Sequence, residues 1–305
     1  MNKLTEFYKS IVVLDTETTH LHAEKAEIVE IAGARYNGNE WIVESMLLGA
    51  KNGIPPEASA KNNISNRMID GLPTFGESVE KAKQIIHWDN SDYWICHNSK
   101  YDQDVLFKAF NESGLPDDAE RAKNKNNWIC TFRLAKQLLD FDFSDMQYNL
   151  SFLRYKLDLP VSDELGVHRA QADTYVCKSL LEFLVDYAIK KNIIDETGDI
   201  GKQLNDICWR ANKITKWPFG KHKGAAFSDI PTDYYIWSIS NISKLDEKSS
   251  DYDSDLAETI RIELEKRLEE DKQYEKFITR NPAPDASVPM VPNGVSGTFM
   301  AKWRP

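Results

Sequence analysis

A run of aliphatic residues that stops at acids most constrains this chain: Ile11-Val12-Val13-Leu14 leads into Asp15-Thr16-Glu17. Such a run reads as a strand covered on both faces. Side chains at i and i+2 of a strand point the same way, so Asp15 and Glu17 project together from one strand end. Taken alone, an Asp-x-Glu pair is a weak motif, and acids that simply terminate a strand are commonplace.

The following text sets the fold class. "EIVEIAGARY" (27 to 36) and "EWIVESMLLGA" (40 to 50) are strand-like and flank Asn37-Gly38-Asn39, the composition of a hairpin turn, so the first strands form an antiparallel meander. "DYWICHN" (92 to 98) is a later strand, and helical patterns fall at roughly 77 to 87, 100 to 113, 131 to 140 and 170 to 190. In the last, Ala172, Tyr175, Val176, Ser179, Leu180, Phe183, Leu184 and Tyr187 follow the spacing of a buried stripe. A meander followed by alternating strands and helices predicts an α/β fold with a mixed sheet flanked by helices.

Past 190 the pattern loosens. Residues 191 to 245 carry turn residues, aromatics and cations and read as a linker and a small module. Residues 246 to 280 are charge-laced and read as one solvated helix, and 281 to 305, rich in Pro, Gly and Ser, as a flexible tail. The net charge of −10 argues against a uniformly basic nucleic-acid coat, so a polyanion must meet a local basic patch. The four cysteines form no Cys-x-x-Cys pair, which fits free thiols in a reducing compartment. The apolar run behind Lys3 and Lys9 is too short for a signal peptide or a membrane span. A soluble, cytoplasmic protein with no membrane partner is expected.

Two further stretches give the acids company. In "CHNSKYDQDVL" a strand ends at Cys96-His97, Asn98 or Ser99 can cap a helix, and Asp102 falls in its first turn, where helix-dipole complementarity by itself also favours an acid. In "GVHRAQADTYV", His168 stands at a loop-helix junction and Asp173 lies five residues on, inside the long helix. In this order and at these separations, Asp15, Glu17, Asp102, His168 and Asp173 resemble the DEDDh (DnaQ-like) family of 3′-to-5′ exonucleases, on the ribonuclease H-like fold. The match covers about residues 8 to 190, and "IPPEASAKNNISNRMIDGLPTF" (54 to 75) is similar to the stretch between the family's first two motifs. "WICTFRLAKQL" (128 to 138) and "PFGKHKG" (218 to 224) are similar to the exonuclease X branch, which carries a small module after its nuclease domain.

Four carboxylates at one spot repel one another by several kcal/mol unless compensated, and hard oxygen donors suit two Mg²⁺ or Mn²⁺ ions. The resemblance implies two-metal phosphodiester hydrolysis: Asp15, Glu17, Asp102 and Asp173 as metal ligands and His168 as general base. It further implies that Thr18, His20, Leu21, Ile64, Met68 and Asn98 hold the terminal nucleotide, although Leu21, Ile64 and Met68 also suit a buried core. His20 departs from the family, which usually has Gly after the Thr pair. His20, His22 and Glu24 are better read as substrate-facing or solvated than as a metal cluster.

The segment 207 to 228 has cations, aromatics and no acid. Lys216, Trp217, Lys221 and Lys223 fit an accessory single-strand contact, and they equally fit a folded module with Trp in its own core and solvated lysines. The expected activity is release of nucleoside 5′-monophosphates from single-stranded or frayed DNA 3′ ends, of the kind DNA repair uses. RNA trimming at the same site and a non-catalytic nucleic-acid-binding subunit are the alternatives.

Overall fold

The computed structural model describes residues 2–139, 148–162, 169–210, 214–246 and 253–280. Its sheet, five-stranded among the described residues, runs β3-β2-β1-β4-β5. The strands are β1 (Ile11–Thr18), β2 (Ile28–Tyr36), β3 (Trp41–Leu47), β4 (Tyr93–Cys96) and β5 (Trp128–Cys130). β1, β2 and β3 pair antiparallel, as the Asn-Gly-Asn turn predicts, while β4 joins β1, and β5 joins β4, in parallel. In the turn, the Asn37 side chain accepts from the Asn39 and Glu40 amides, and Gly38 takes a left-handed φ of +103°.

Parallel pairing needs crossovers, and helices supply them. After α1 (Lys3–Lys9), helices α2 (Pro56–Asn62), α3 (Asn66–Ile69) and α4 (Val79–Ile85) link β3 to β4, and α5 (Lys100–Glu112) and α6 (Pro116–Lys123) link β4 to β5. Then come α7 (Thr131–Leu138), α8 (Leu150–Lys156), α9 (Ala170–Lys190) and α10 (Ile200–Cys208). Strand alternation sorts the core into two layers. Ile11 and Val13 pack with Leu134, Leu180 and Leu184 on the α7/α9 side, while Val12 and Leu14 pack with Val105, Leu106 and Trp94 on the α5 side. The buried surface of α9 is wider than the expected stripe. Cys177, Leu181, Val185 and Ala188 are buried, whereas Tyr175, Phe183 and Tyr187 are half-exposed, because α7 and α8 as well as the sheet pack on this helix.

The chain divides into two compact units, Met1–Arg210 and Ala211–Pro305. The first runs past the boundary expected at 190 because α10 buries Ile200, Leu204, Ile207 and Cys208 in its core, and Asn205 donates to the Trp128 carbonyl at 2.7 Å. The second contains α11 (Thr232–Asn241) and α12 (Ser254–Arg280). Two expectations are corrected here. Trp217 is 1% exposed and sits in that unit's core with Phe227, Ile230 and Tyr235, so it is no free stacking surface. Nor is α12 simply solvated: Leu256, Ala257, Ile260 and Leu264 complete the same core. Arg267 ties the helix down by donating to the carbonyls of Phe227, Ser228 and Ile230 and to Thr232 Oγ1 at 2.8–3.1 Å. Arg267→Ala therefore lowers the unfolding free energy of this unit by about 1–3 kcal/mol, read by urea unfolding followed through Trp fluorescence. The tail 281 to 305 lies outside the described residues.

Among the described residues no helix is long and apolar enough to cross a membrane. All four cysteines are free and buried.

Candidate active site

β1 does not stop at its acids. It continues to Thr18 against β2, while β4 pairs only with Ile11, Val12 and Val13. The stretch from Asp15 onward thus outruns its parallel neighbour and leaves a notch beside β1. Asp15 and Glu17 share the face of Val13, towards α9, whose first turn supplies Asp173. One carboxylate oxygen from each of Asp15, Glu17 and Asp173 lies within 4.8 Å of the others. Thr16 points to the other face and donates to Asp102 Oδ1 at 2.8 Å from the first turn of α5. The cap expected at Asn98 or Ser99 is not made by either side chain. Asn98 takes a left-handed φ of +65°, and Ser99 accepts from Gln103 Nε2.

The carboxyls of the notch raise one another's proton affinity. Burial, then Asp102, Glu17, Asp173 and Glu30, push the Asp15 carboxyl well above the carboxylate range. Burial, Asp173 and Glu30 push Glu17 up to about 8, against a pull from Lys61. Burial pushes Asp102 up to about 7, opposed by the hydrogen bond from Thr16 and by backbone amides. A set of close, half-buried carboxyls fits hard divalent cations, which neutralise without proton uptake.

These shifts have a sign. A carboxyl whose folded pKa lies above its unfolded one binds its proton more tightly when folded. For Glu17 the stability contribution is fully present below pH 4.5 and is lost as pH rises through about 8. In EDTA, the unfolding free energy therefore falls across that window, the fall is smaller in Glu17→Gln, and added Mg²⁺ reverses it. Urea midpoints at the two ends of the window check this.

A residue outside the sequence reading fixes the geometry. Glu30, opposite Glu17 in the β1/β2 register, is 1% exposed. Its carboxylate takes two hydrogen bonds from Arg169 (Nε to Oε2 2.9 Å, Nη2 to Oε1 3.0 Å) and one from the Ala170 amide at 3.1 Å. The fork-to-fork pair pins the N-terminus of α9 to the sheet, and the Asp173 amide donates to the Arg169 carbonyl at 2.9 Å, one turn on. His168 precedes Arg169 directly and lies outside the described residues.

Asp15, Glu17 and Asp173 line a cleft of about 860 Å³ together with Thr18, His20, Leu21, Lys61, Asn62, His97, Tyr101 and Asn149. Tyr101 hydrogen-bonds both Thr18 Oγ1 and the His20 carbonyl, holding the loop after β1, and Leu21 is 73% exposed beside it. Of the residues expected on a nucleotide, Thr18, His20 and Leu21 line the cleft. Ile64 is fully buried among Val29, Ile54 and Ile69 and is core, because α2 and α3 fold over it. Met68 and Asn98 are exposed but lie outside the lining. His22 pairs with Glu24 at 4.0 Å on the surface, and neither joins a metal-holding group among the described residues. His97 is fully engaged: Nε2–H donates to the Tyr148 carbonyl at 3.0 Å, so Nδ1 accepts from Thr131, and burial pushes its pKa down to about 4. Lys61, Tyr101 and His97 escaped the sequence reading because their roles depend on neighbours far away in the chain.

Comparison with known proteins gives the family. A family model described as an exonuclease, RNase T, matches residues 12–181, more than half of the chain. Exodeoxyribonuclease 10 of Escherichia coli is 28% identical over 238 residues, spanning 76% of this chain and 92% of that protein. The DNA polymerase III subunit epsilon of Treponema pallidum is 27% identical over 184 residues, 60% of this chain and 80% of the relative. A solved structure of exonuclease X in complex with 5′ overhanging duplex DNA aligns with a TM-score of 0.47 at 25% identity, covering 65% of this chain and 99% of that one. The family model's match over residues 12–181 shows that the chain belongs to the RNase T family of exonucleases, and its resemblance to the DEDDh 3′-to-5′ enzymes holds.

Proposed function

We propose that this protein is a metal-dependent 3′-to-5′ exodeoxyribonuclease that releases nucleoside 5′-monophosphates from single-stranded or frayed DNA ends. The observation that carries the reading is the trio Asp15, Glu17 and Asp173, within 4.8 Å in the lining of an open cleft, with Asp102 against Thr16 beside it. The relatives named as an exodeoxyribonuclease and a DNA polymerase subunit favour DNA as the substrate.

Asp15, Glu17, Asp102 and Asp173 would hold two Mg²⁺ or Mn²⁺ ions, which supply charge neutralisation and a more acidic water when bound. Around them, Lys61 balances the incoming phosphate charge, since its field already reaches Glu17. Leu21, exposed at the rim, offers an apolar surface to the terminal base, and Thr18 and Tyr101 hold its loop. His168 accepts the proton of the attacking water, since imidazole is the side chain that exchanges protons near neutral pH. His97, already donating to a carbonyl, is unsuited to that role. His168→Ala lowers the rate by about 100-fold or more and flattens the acid limb of the pH-rate profile.

The test is digestion of matched 5′-labelled DNA and RNA, single- and double-stranded, with Mg²⁺ or EDTA. A Mg²⁺-dependent ladder shortening from the 3′ end on DNA is the expected result. Equal or faster loss of RNA selects the trimming alternative, and no mononucleotide release selects the non-catalytic one.

A further inference from the structure

We propose that the second unit binds single-stranded DNA through Trp237, Tyr234 and His222, with Lys221 and Lys223 taking the phosphates. The proposal extends the reading of the chain as a nuclease on single strands.

The described tryptophans are otherwise buried or half-buried, but Trp237 is 51% exposed. α11 puts Tyr235 and Ser238 into the core, which leaves Trp237 on its outer side. Its ring leans on Tyr234 (centroids 5.4 Å apart, 34° between planes), and Tyr234 in turn rests on buried Trp217 at 5.4 Å. His222 meets Tyr234 edge-on at 4.4 Å. The outer rings are therefore backed by a fixed core, so stacking on them costs little ordering.

The occupant follows from charge. His222 lies in a tight turn between Gly220 (φ +61°) and Gly224 (φ +85°), and its neighbours Lys221 and Lys223 are both exposed. Residues 207 to 228 contain no acid in a chain of net charge −10. Aromatic faces bordered by cations suit unpaired bases joined by phosphates, whereas a duplex hides its base faces. Asp233, one turn before Trp237 on α11, disfavours phosphate on that side. Bases therefore lie over Trp237 and phosphates run past Lys221 and Lys223.

The experiment uses the full chain in EDTA and a fluorescein-labelled oligothymidine, read by anisotropy across a salt series. Trp237→Ala weakens binding by about 5- to 100-fold, and Trp237→Phe recovers part of it. Lys221→Gln with Lys223→Gln, both on an exposed turn, lowers the slope of log affinity on log salt by about 1.4. Unchanged affinity in Trp237→Ala with an unchanged slope in the double variant overturns the proposal. So does a Trp237→Ala effect confined to self-association in sedimentation, which assigns the face to a second copy. Mononucleotide release by the unaltered chain with Mg²⁺ is scored separately. Release with unchanged Trp237→Ala binding removes the platform and keeps the nuclease reading, and weakened binding without release does the reverse.

Discussion

Asp15→Asn abolishes mononucleotide release, by about 10³-fold or more, while the metal-free protein becomes harder to unfold at pH 8. The loss follows from removing a ligand at the centre of the site: several kcal/mol of transition-state charge stabilisation correspond to about three decades in rate. The gain in stability follows from the crowding. Asp15 lies near Asp102, Glu17, Asp173 and Glu30, all of which raise its pKa, so a neutral amide relieves repulsion that the folded chain otherwise carries. The two effects have opposite signs, which separates a missing ligand from a damaged fold. Rates are measured with labelled single strands and Mg²⁺, and stability by urea unfolding in EDTA. Hydrolysis at the parent rate, with contaminating nuclease excluded, would remove Asp15 from the site.

Arg169→Ala gives the largest stability loss, about 3–5 kcal/mol, because the Glu30 carboxylate, 2% exposed, is left buried without its cation. Glu30→Ala costs less, since the guanidinium it leaves is a third exposed and keeps water, and since it removes a charge that crowds Asp15 and Glu17. A Glu30→Leu/Arg169→Leu double change costs less than the sum of the single ones, because no unpaired charge is left, and a double-mutant cycle measures that coupling. Activity does not return with stability. The pair anchors the first turn of α9, which presents Asp173, and the residue before Arg169 is His168, so kcat stays low in the double variant with KM little changed. Recovery of kcat alongside stability would reduce the pair to a structural tie.

Glu30 also shows where reading the chain alone fails. In "IVEIAGARY" it is a lone acid in an apolar strand, and strand periodicity says which face it takes but not which cation meets it 139 residues later. Trp217 fails for a related reason. An aromatic among lysines has the composition of a strand-binding patch, but the apolar positions of α12, 39 or more residues on, turn it into a core residue. Ile64 is similar, its partner Val29 coming from β2. The exposed Trp237 went unmarked because helical spacing cannot rank two aromatics on neighbouring faces of α11.

Local periodicity and turn chemistry dictate the β1 run with Asp15 and Glu17 on one side, the Asn-Gly-Asn hairpin, Asp102 in the first turn of α5, and α9 carrying Asp173. In that order, and with His168, those acids resemble the exonuclease family. Long-range packing sets the rest: β1 runs past the end of β4, opening the notch in which three carboxyls meet, and Glu30 and Arg169 lock α9 beside it. The division is physical. Backbone preferences act over a few residues, whereas burial, charge pairing and raised carboxyl pKa values exist only once distant segments exclude water from one another.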